Sequence, residues 1–279
     1  MAHHSFTFQH ASQEFFAQSW LPEHPKALIV LVHGHGEHSG RYAHVADFFN
    51  QQGYALIGMD LHGHGQTAGK RGHAPSYDAM LDSVAQLVQE AAQKVPGVPV
   101  FMYGHSMGGN IALNYVMRRE HQLAGLILSS PWLRLAFTPS SVDVFLAKMM
   151  INLYPSFTQS TKLDASAISQ IPEEVKKYQD DPLIHDMVSP VMYLGTHQAG
   201  LWALEHANSL KTPTLIVHGT GDRLTSWEAS QEFSKQAPQN LMTFKTWEGL
   251  FHEMHYEAKR DEVFSTYAEW LNRHLVPAS

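Results

Sequence analysis

Through the first 130 residues, short wholly apolar runs alternate with longer stretches in which apolar side chains recur every three or four positions. Ala27–Val32 and Tyr54–Met59 show no alternation of apolar and polar residues, the pattern of a strand covered on both faces. Residues 98–103 and 123–128 repeat it, and 214–218 and 241–247 further on supply two more strands. Between these runs, 42–52 and 77–94 carry helical spacing; in the second, Met80, Val84, Leu87 and Val88 share one face. Residues 5–10 and 14–20 read as a first hairpin, with apolar positions alternating around Phe6, Phe8 and Phe15. Strands alternating with helices predict an α/β fold: a mostly parallel sheet with helices on both faces.

The rhythm fails over 131–210. Pro131, Pro139, Pro155, Pro172, Pro182 and Pro190 fall there, and no run reads as a central strand. These residues are assigned to an inserted helical cap, and 1–130 with 211–279 to the core. Within the cap, Val142, Phe145, Leu146, Met149 and Leu153 form one helical stripe, with Met150 and Ile151 beside it. The stripe is expected to be packed, as in a lid helix. The sharper alternative is that its surplus apolar surface faces an acyl chain or a lipid interface.

Composition narrows the partners. Nineteen basic against 26 acidic residues give a net charge of −7, and no Lys/Arg cluster reverses it, so nucleic acid is not the expected partner. The absence of cysteine excludes disulfides, thiolate zinc sites and a cysteine nucleophile. No basic segment followed by an apolar core opens the chain, and no apolar run approaches the ~20 residues of a spanning helix. The expectation is a cytoplasmic protein, at most peripheral to a membrane through its cap.

Candidate chemistry begins at Gly104-His105-Ser106-Met107-Gly108, which follows the apolar run 98–103 and precedes a proline-free helical pattern over 109–117. G-x-S-x-G between a strand and a helix is the setting of a nucleophile elbow, a tight turn that lifts the serine hydroxyl clear of the backbone. A serine hydroxyl attacks only when a base takes its proton. Asp222 lies just beyond the run 214–218, and His252 just beyond 241–247. Loops at the carboxyl ends of parallel strands gather on one edge of the sheet. The predicted roles are Ser106 as nucleophile, His252 as general base and then acid, and Asp222 as the group that orients and stabilises the imidazolium. The developing oxyanion needs two donors: the backbone N–H of Met107, and that of His35 in His33-Gly34-His35-Gly36 after the early strand. This chemistry requires no cofactor and no metal.

Twenty histidines supply rivals. His255 is three residues beyond His252, which is preferred as the first histidine after a glycine-bearing strand exit. Glu248 competes with Asp222. His33-Gly34-His35-Gly36-Glu37-His38 approaches the H-x-H-x-D-H ligand pattern, and His62-Gly63-His64 adds further nitrogens, so a zinc-dependent hydrolase is an alternative. That alternative leaves the elbow, Asp222 and His252 without a role. His62, His64 and His105 are otherwise expected to line loops near the rim and bond backbone.

Taken together, His33-Gly34, Gly36-Glu37-His38-Ser39-Gly40-Arg41-Tyr42, Asp60, Gly63-His64-Gly65, Gly104-His105-Ser106-Met107-Gly108-Gly109, Asp181-Pro182-Leu183, Gly219, Asp222-Arg223 and Glu248-Gly249 with His252 resemble the monoacylglycerol lipase and lysophospholipase branch of the α/β-hydrolases. G-H-S-M-G-G is shared by many esterases; G-E-H-S-G-R-Y is far more discriminating. The resemblance implies an eight-stranded α/β-hydrolase sheet, with a cap between the sixth strand and the helix leading to the seventh. It places the acid one strand before the histidine, favouring Asp222 over Glu248. It also implies cleavage of a monoacylglycerol to glycerol and fatty acid through an acyl-enzyme. Lysophospholipids and short-chain carboxylic esters are the alternative substrates, and a non-catalytic ligand-binding module of the same fold is the alternative role. Glu37, Arg41 and His255 fall at positions that contact the glycerol head group in the family, and Tyr178 is placed on the cap side of that pocket. For Glu37 and Arg41 a local salt bridge is the competing role. His35 departs from the family, which has a small or apolar residue there, and 135–178 matches only in its helical, Met-rich character.

Overall fold

Both faces of the central strands are buried, which is why their sequences do not alternate. Leu28, Val30 and Val32 enter one apolar layer while Ala27, Ile29 and Leu31 enter the other. The computed structural model describes residues 2–275. In chain order the strands are β1 (Ala2–His10), β2 (Gln13–Leu21), β3 (Ala27–Val32), β4 (Tyr54–Met59), β5 (Val100–His105), β6 (Gly125–Ser129), β7 (Gln159–Ser160), β8 (Met187–Val188), β9 (Thr214–Gly219) and β10 (Met242–Trp247). Eight of them form one sheet in the order β1-β2-β4-β3-β5-β6-β9-β10. The pairings of β2 with β1 and β4 are antiparallel, and all others in this sheet are parallel. The predicted start of β5 at 98 moves to Val100 because Pro99 has no N–H to offer; its carbonyl instead accepts from Leu28 N–H at 2.9 Å.

Helices α1 (Ala43–Gln51) and α8 (Arg260–His274) cover one face with Val45, Phe49, Tyr267 and Trp270. The other face is covered by α2 (Tyr77–Lys94), α3 (Ser106–Arg118), α6 (Pro190–Glu205) and α7 (Trp227–Gln236). The periodicity of 77–94 is realised in α2, where Met80, Val84 and Leu87 are fully buried. Ser76 caps that helix, accepting from the Ala79 N–H at 3.0 Å.

The inserted region splits in two. Expected as the end of the cap, α6 belongs to the core layer instead: Asn110 Nδ2 donates to the Thr196 carbonyl (3.0 Å) and Asn114 Nδ2 to that of Ala199 (3.3 Å), both from α3. Apolar residues lie on every side of α6, the exposed Leu201 among them, so its sequence carries no amphipathic signal to set it apart. Residues 131–189 carry α4 (Ser141–Leu153), α5 (Pro172–Asp180) and the small β7–β8 ladder, and join the core cluster through Trp132, Leu133 and Val188. The C-terminal segment of this region is tied down. Asp181 Oδ2 pairs with His38 Nε2 at 2.9 Å, His185 N–H donates to the Gly36 carbonyl at 2.9 Å, and Ser189 N–H to that of Gly72 at 2.8 Å.

The stripe on α4 corrects the expectation of a packed helix. Val142 is 63% exposed, Phe145 62%, Met149 55% and Leu153 79%. Leu146 of the stripe, 49% exposed, also lines the central cavity, as do Val144, Ala147 and Met150. The helix is apolar on both sides because it has two apolar surfaces to present. No helix among the described residues is long and apolar enough to cross a membrane.

Candidate active site

Ser106 is where β5 turns into α3, and its backbone sits at φ +54°. A non-glycine residue in this region stores about 1–3 kcal/mol of strain that the surrounding packing must hold. The small neighbours make the turn possible. A Cβ on Gly108 would collide with the carbonyl oxygens of Val32 and His33, and one on Gly104 would come within 2.8 Å of Ala112 Cβ. Met107 follows in the first turn of α3, where backbone N–H groups have no partner within the helix and the helix dipole is positive.

The loop after β9 brings Asp222 to the loop after β10. Asp222 Oδ2 lies 2.7 Å from His252 Nδ1 and 3.1 Å from His218 Nε2, and accepts from Thr225 Oγ1 at 2.9 Å. Its Oδ1 accepts from the N–H groups of Leu224 (2.7 Å) and Thr225 (3.1 Å). Burial alone would favour the protonated acid, but His252 and His218 outweigh it and hold Asp222 well below the usual carboxylate range. For His252 the balance is the mirror image: burial lowers the imidazole, Asp222 raises it, and the net shift is upward. Ser130 Oγ donates to the His252 carbonyl at 2.9 Å, fixing the loop from below. Ser106 and His252 line the same cavity, of about 890 Å³. His255 does not reach Asp222; its ring stacks on Tyr42, with centroids 5.0 Å apart. Glu248 is exposed on the outside.

On the oxyanion side, Gly34 N–H donates to Glu37 Oε1 at 2.6 Å. The next N–H, that of His35, has no partner among the described residues. The His33 ring holds the same loop, with Nδ1 2.8 Å from the Gly34 carbonyl and Nε2 accepting from Leu61 N–H at 2.9 Å. Glu37 also accepts from Tyr42 Oη at 2.8 Å and from Arg41 Nη1 at 2.8 Å. Arg41 continues to Glu253, with both guanidinium nitrogens on its carboxylate at 2.6 and 2.7 Å. Burial raises Glu37, but Arg41, His105 and His33 overcome it and leave the carboxylate ionised. The oxyanion loop and the residue after His252 are thus joined through one buried arginine.

This network changes the expected head-group contacts. Glu37 and Tyr178 line the cavity, but Arg41 and His255 are not on its wall. Arg41 is occupied by two carboxylates and lies between the rings of Tyr178 (4.9 Å) and Tyr256 (4.8 Å). His255 is fully buried between Tyr42 and His105. Glu253, which sequence reasoning passed over, is on the wall instead; its position beside His252 was the available signal. His62 and His64 bond backbone carbonyls as expected, whereas His105 lies 3.4 Å from Ser129 Oγ and 4.8 Å, ring to ring, from His252. No three His, Asp or Glu side chains converge as a metal site among the described residues. The rings of His33 and His38 already have both nitrogens bonded within the protein.

A strained serine elbow, facing a buried acid–histidine pair across the carboxyl edge of this sheet, is the architecture of an α/β-hydrolase. The chain belongs to the family of these enzymes described as serine aminopeptidase, S33, whose model matches residues 23–259. It is 33% identical over 261 residues to a monoacylglycerol lipase of Mycolicibacterium smegmatis, covering 92% of each chain. An abhydrolase domain-containing protein of Dictyostelium discoideum is 36% identical over 94% of this chain, which spans 28% of that relative's length. The crystal structure of a monoacylglycerol lipase from Paleococcus ferrophilus superposes with a TM-score of 0.86 at 30% identity, covering 93% of this chain and 99% of the other.

Proposed function

We propose that the protein hydrolyses monoacylglycerols through an acyl-enzyme formed on Ser106. His252 takes the Ser106 proton as Oγ attacks the ester carbonyl, and Asp222 steadies the resulting imidazolium. The N–H groups of His35 and Met107 receive the oxyanion. Collapse breaks the bond to the glycerol oxygen, which leaves with the proton from His252. Water then repeats the sequence and releases the fatty acid.

The observation that carries the substrate is the division of the cavity wall. Trp132, Leu135, Val144, Met150 and Ile168 give it an apolar part suited to an acyl chain. Glu37, Glu253 and Tyr178 cluster around Arg41 as a polar part suited to hydroxyls. The same cluster disfavours a lysophospholipid. Within this cluster a phosphate would find no unpaired cation, because Arg41 is neutralised by two carboxylates, with Asp181 and Asp186 also on the wall; the lysine on the wall, Lys162, belongs to the cap segment outside the cluster. The exposed face of α4 is proposed to rest on the lipid surface that presents the substrate.

The test compares monolauroylglycerol, lyso-phosphatidylcholine and p-nitrophenyl butyrate, with Ser106→Ala as the blank. Preference for the glycerol ester is expected. Preference for the butyrate would leave a general esterase, and preference for the lysophospholipid would overturn the argument from Arg41.

A further inference from the structure

The loop that carries His252 is held from the cap as well as from the core. Before the histidine, Phe251 N–H donates to Glu257 Oε1 at 3.3 Å. After it, Glu253 N–H donates to the Ile168 carbonyl at 2.7 Å. The same Glu257 oxygen accepts from Gln170 N–H at 2.9 Å. Ser169 Oγ donates to the Tyr256 carbonyl at 3.3 Å, and Gln170 Nε2 to that of Gly249 at 3.0 Å. Each residue from Ile168 to Gln170 in the cap therefore bonds the segment 249–257, and Ile168 also lines the cavity.

Glu257 stands at the junction of cap and loop, and it is 1% exposed. Its Oε2 is buried without a hydrogen-bond partner among the described residues, so Oε1 makes the junction. Burial raises the carboxyl, and Glu253 adds to this, against the pull of the Gln170 and Phe251 N–H groups. Charged or neutral, the group keeps an oxygen that accepts both N–H groups. His252 itself lies in irregular backbone between β10 and α8, so such bonds decide where its ring sits. A general base works only within hydrogen-bond reach of its proton, and a displacement of about 1 Å costs about 100-fold in rate. We infer that Glu257 is a positioning residue, through which cap segment 168–170 fixes the backbone that carries His252. This rests on the reading of Ser106, His252 and Asp222 as the triad and deepens it. An apolar side chain at 257 leaves the Phe251 and Gln170 N–H groups without their acceptor, and the loop moves to find others.

The experiment measures kcat and KM for dissolved p-nitrophenyl butyrate in wild type, Glu257→Gln, Glu257→Leu and Gln170→Ala, with Ser106→Ala as the blank. Fluorophosphonate labelling to completion counts the competent sites in each preparation, and calorimetry gives the melting temperatures. In Glu257→Leu, kcat per labelled site is expected to fall about tenfold or more, with KM within about threefold of wild type. Glutamine keeps the acceptor oxygen, so kcat in Glu257→Gln should stay within about threefold of wild type. Gln170 is exposed, so Gln170→Ala spares the core and removes one bond to the loop; kcat is expected to fall about threefold. A role in stability alone would lower the melting temperature of Glu257→Leu and leave its kcat per site unchanged, which overturns the inference. A glutamine variant as slow as the leucine variant overturns it as well. If the leucine variant does not fold, Gln170→Ala decides: the threefold loss supports the inference and an unchanged kcat overturns it. Wild-type turnover no higher than that of Ser106→Ala overturns instead the triad on which the inference rests.

Discussion

The helix that begins at Ser106 and the helix that begins at Ser141 have the same length and opposite surroundings. Between Met107 and Val116 every residue of α3 is buried, and the helix packs against β5, α2 and α6. Helix α4 exposes Val142, Phe145, Met149 and Leu153 and touches the cavity with Val144, Leu146, Ala147 and Met150. The difference separates two tasks. Chemistry needs atoms fixed to a fraction of an ångström, and the strained φ of Ser106 survives only because α3 cannot relax. The proposed contact with lipid needs a surface that stays apolar without packing against protein, which the exposed face of α4 supplies. The proposed active site is therefore built on the closely packed part of the molecule, beside a cap helix that leaves its outer apolar face unpacked.

The sharpest cut between the two is Ser106→Ala. Ester turnover should fall by about 10⁴-fold or more, as when the nucleophile is removed from other serine hydrolases. Calorimetry should show a melting temperature no lower than wild type, because the change deletes one oxygen at a strained position. Retained turnover would remove Ser106 from the mechanism.

Next in size is Arg41→Met. Breaking a buried ion pair by removing one partner costs about 3–5 kcal/mol, since Glu37 and Glu253 would face each other unneutralised. For a chain of this size that corresponds to a drop in melting temperature of about 5–9 °C. Loss of turnover without loss of stability would return Arg41 to the substrate-contacting role implied by family resemblance.

A third test follows from the upward shift of His252. Only the neutral imidazole accepts the serine proton, so kcat/KM should fall about tenfold per unit as pH drops below its pKa. Because the shift is upward, that limb should inflect above 6.5 in the free enzyme. Asp222, held ionised, should add no second step near neutrality. In Asp222→Asn the inflection should move down, because the charge that raises the imidazole is gone. An inflection that stays in place would mean that a different group sets the profile.

How far the sequence revealed this arrangement depended on where each signal was local. The elbow was legible because its steric requirement falls on Gly104 and Gly108, within two residues of Ser106. The Asp222–His252 pairing was legible because each residue lies in the loop just after a strand of the parallel sheet, the buried β9 and the half-exposed β10 at its edge. The Glu37–Arg41 pair, four positions apart, was foreseen as a local salt bridge, but Glu253 lies 212 positions beyond Arg41 and no local pattern announces it. The same holds for α6: a helix with apolar residues on every side, the exposed Leu201 included, gives no periodicity to distinguish core from cap. The stripe on α4 was visible as a stripe, but spacing alone does not say whether an apolar face meets protein, cavity or lipid.

The smallest effect on chemistry, and the most direct test of the cap, is the triple change Phe145→Ser, Met149→Ser, Leu153→Ser. None of these side chains lines the cavity. Turnover of dissolved p-nitrophenyl butyrate should therefore stay within about twofold of wild type. Fully burying one such side chain is worth about 1.5–3 kcal/mol, so even partial insertion of three gives several kcal/mol of membrane affinity. Co-sedimentation with phosphatidylcholine vesicles should fall at least tenfold in the variant, a change of about 1.4 kcal/mol. Hydrolysis of monolauroylglycerol presented in those vesicles should fall with it. If vesicle binding is unaltered, the exposed face of α4 does not contact lipid. If turnover of the dissolved ester collapses as well, the cap is coupled to the elbow, and the division between a stiff chemical region and an independent entry surface is wrong.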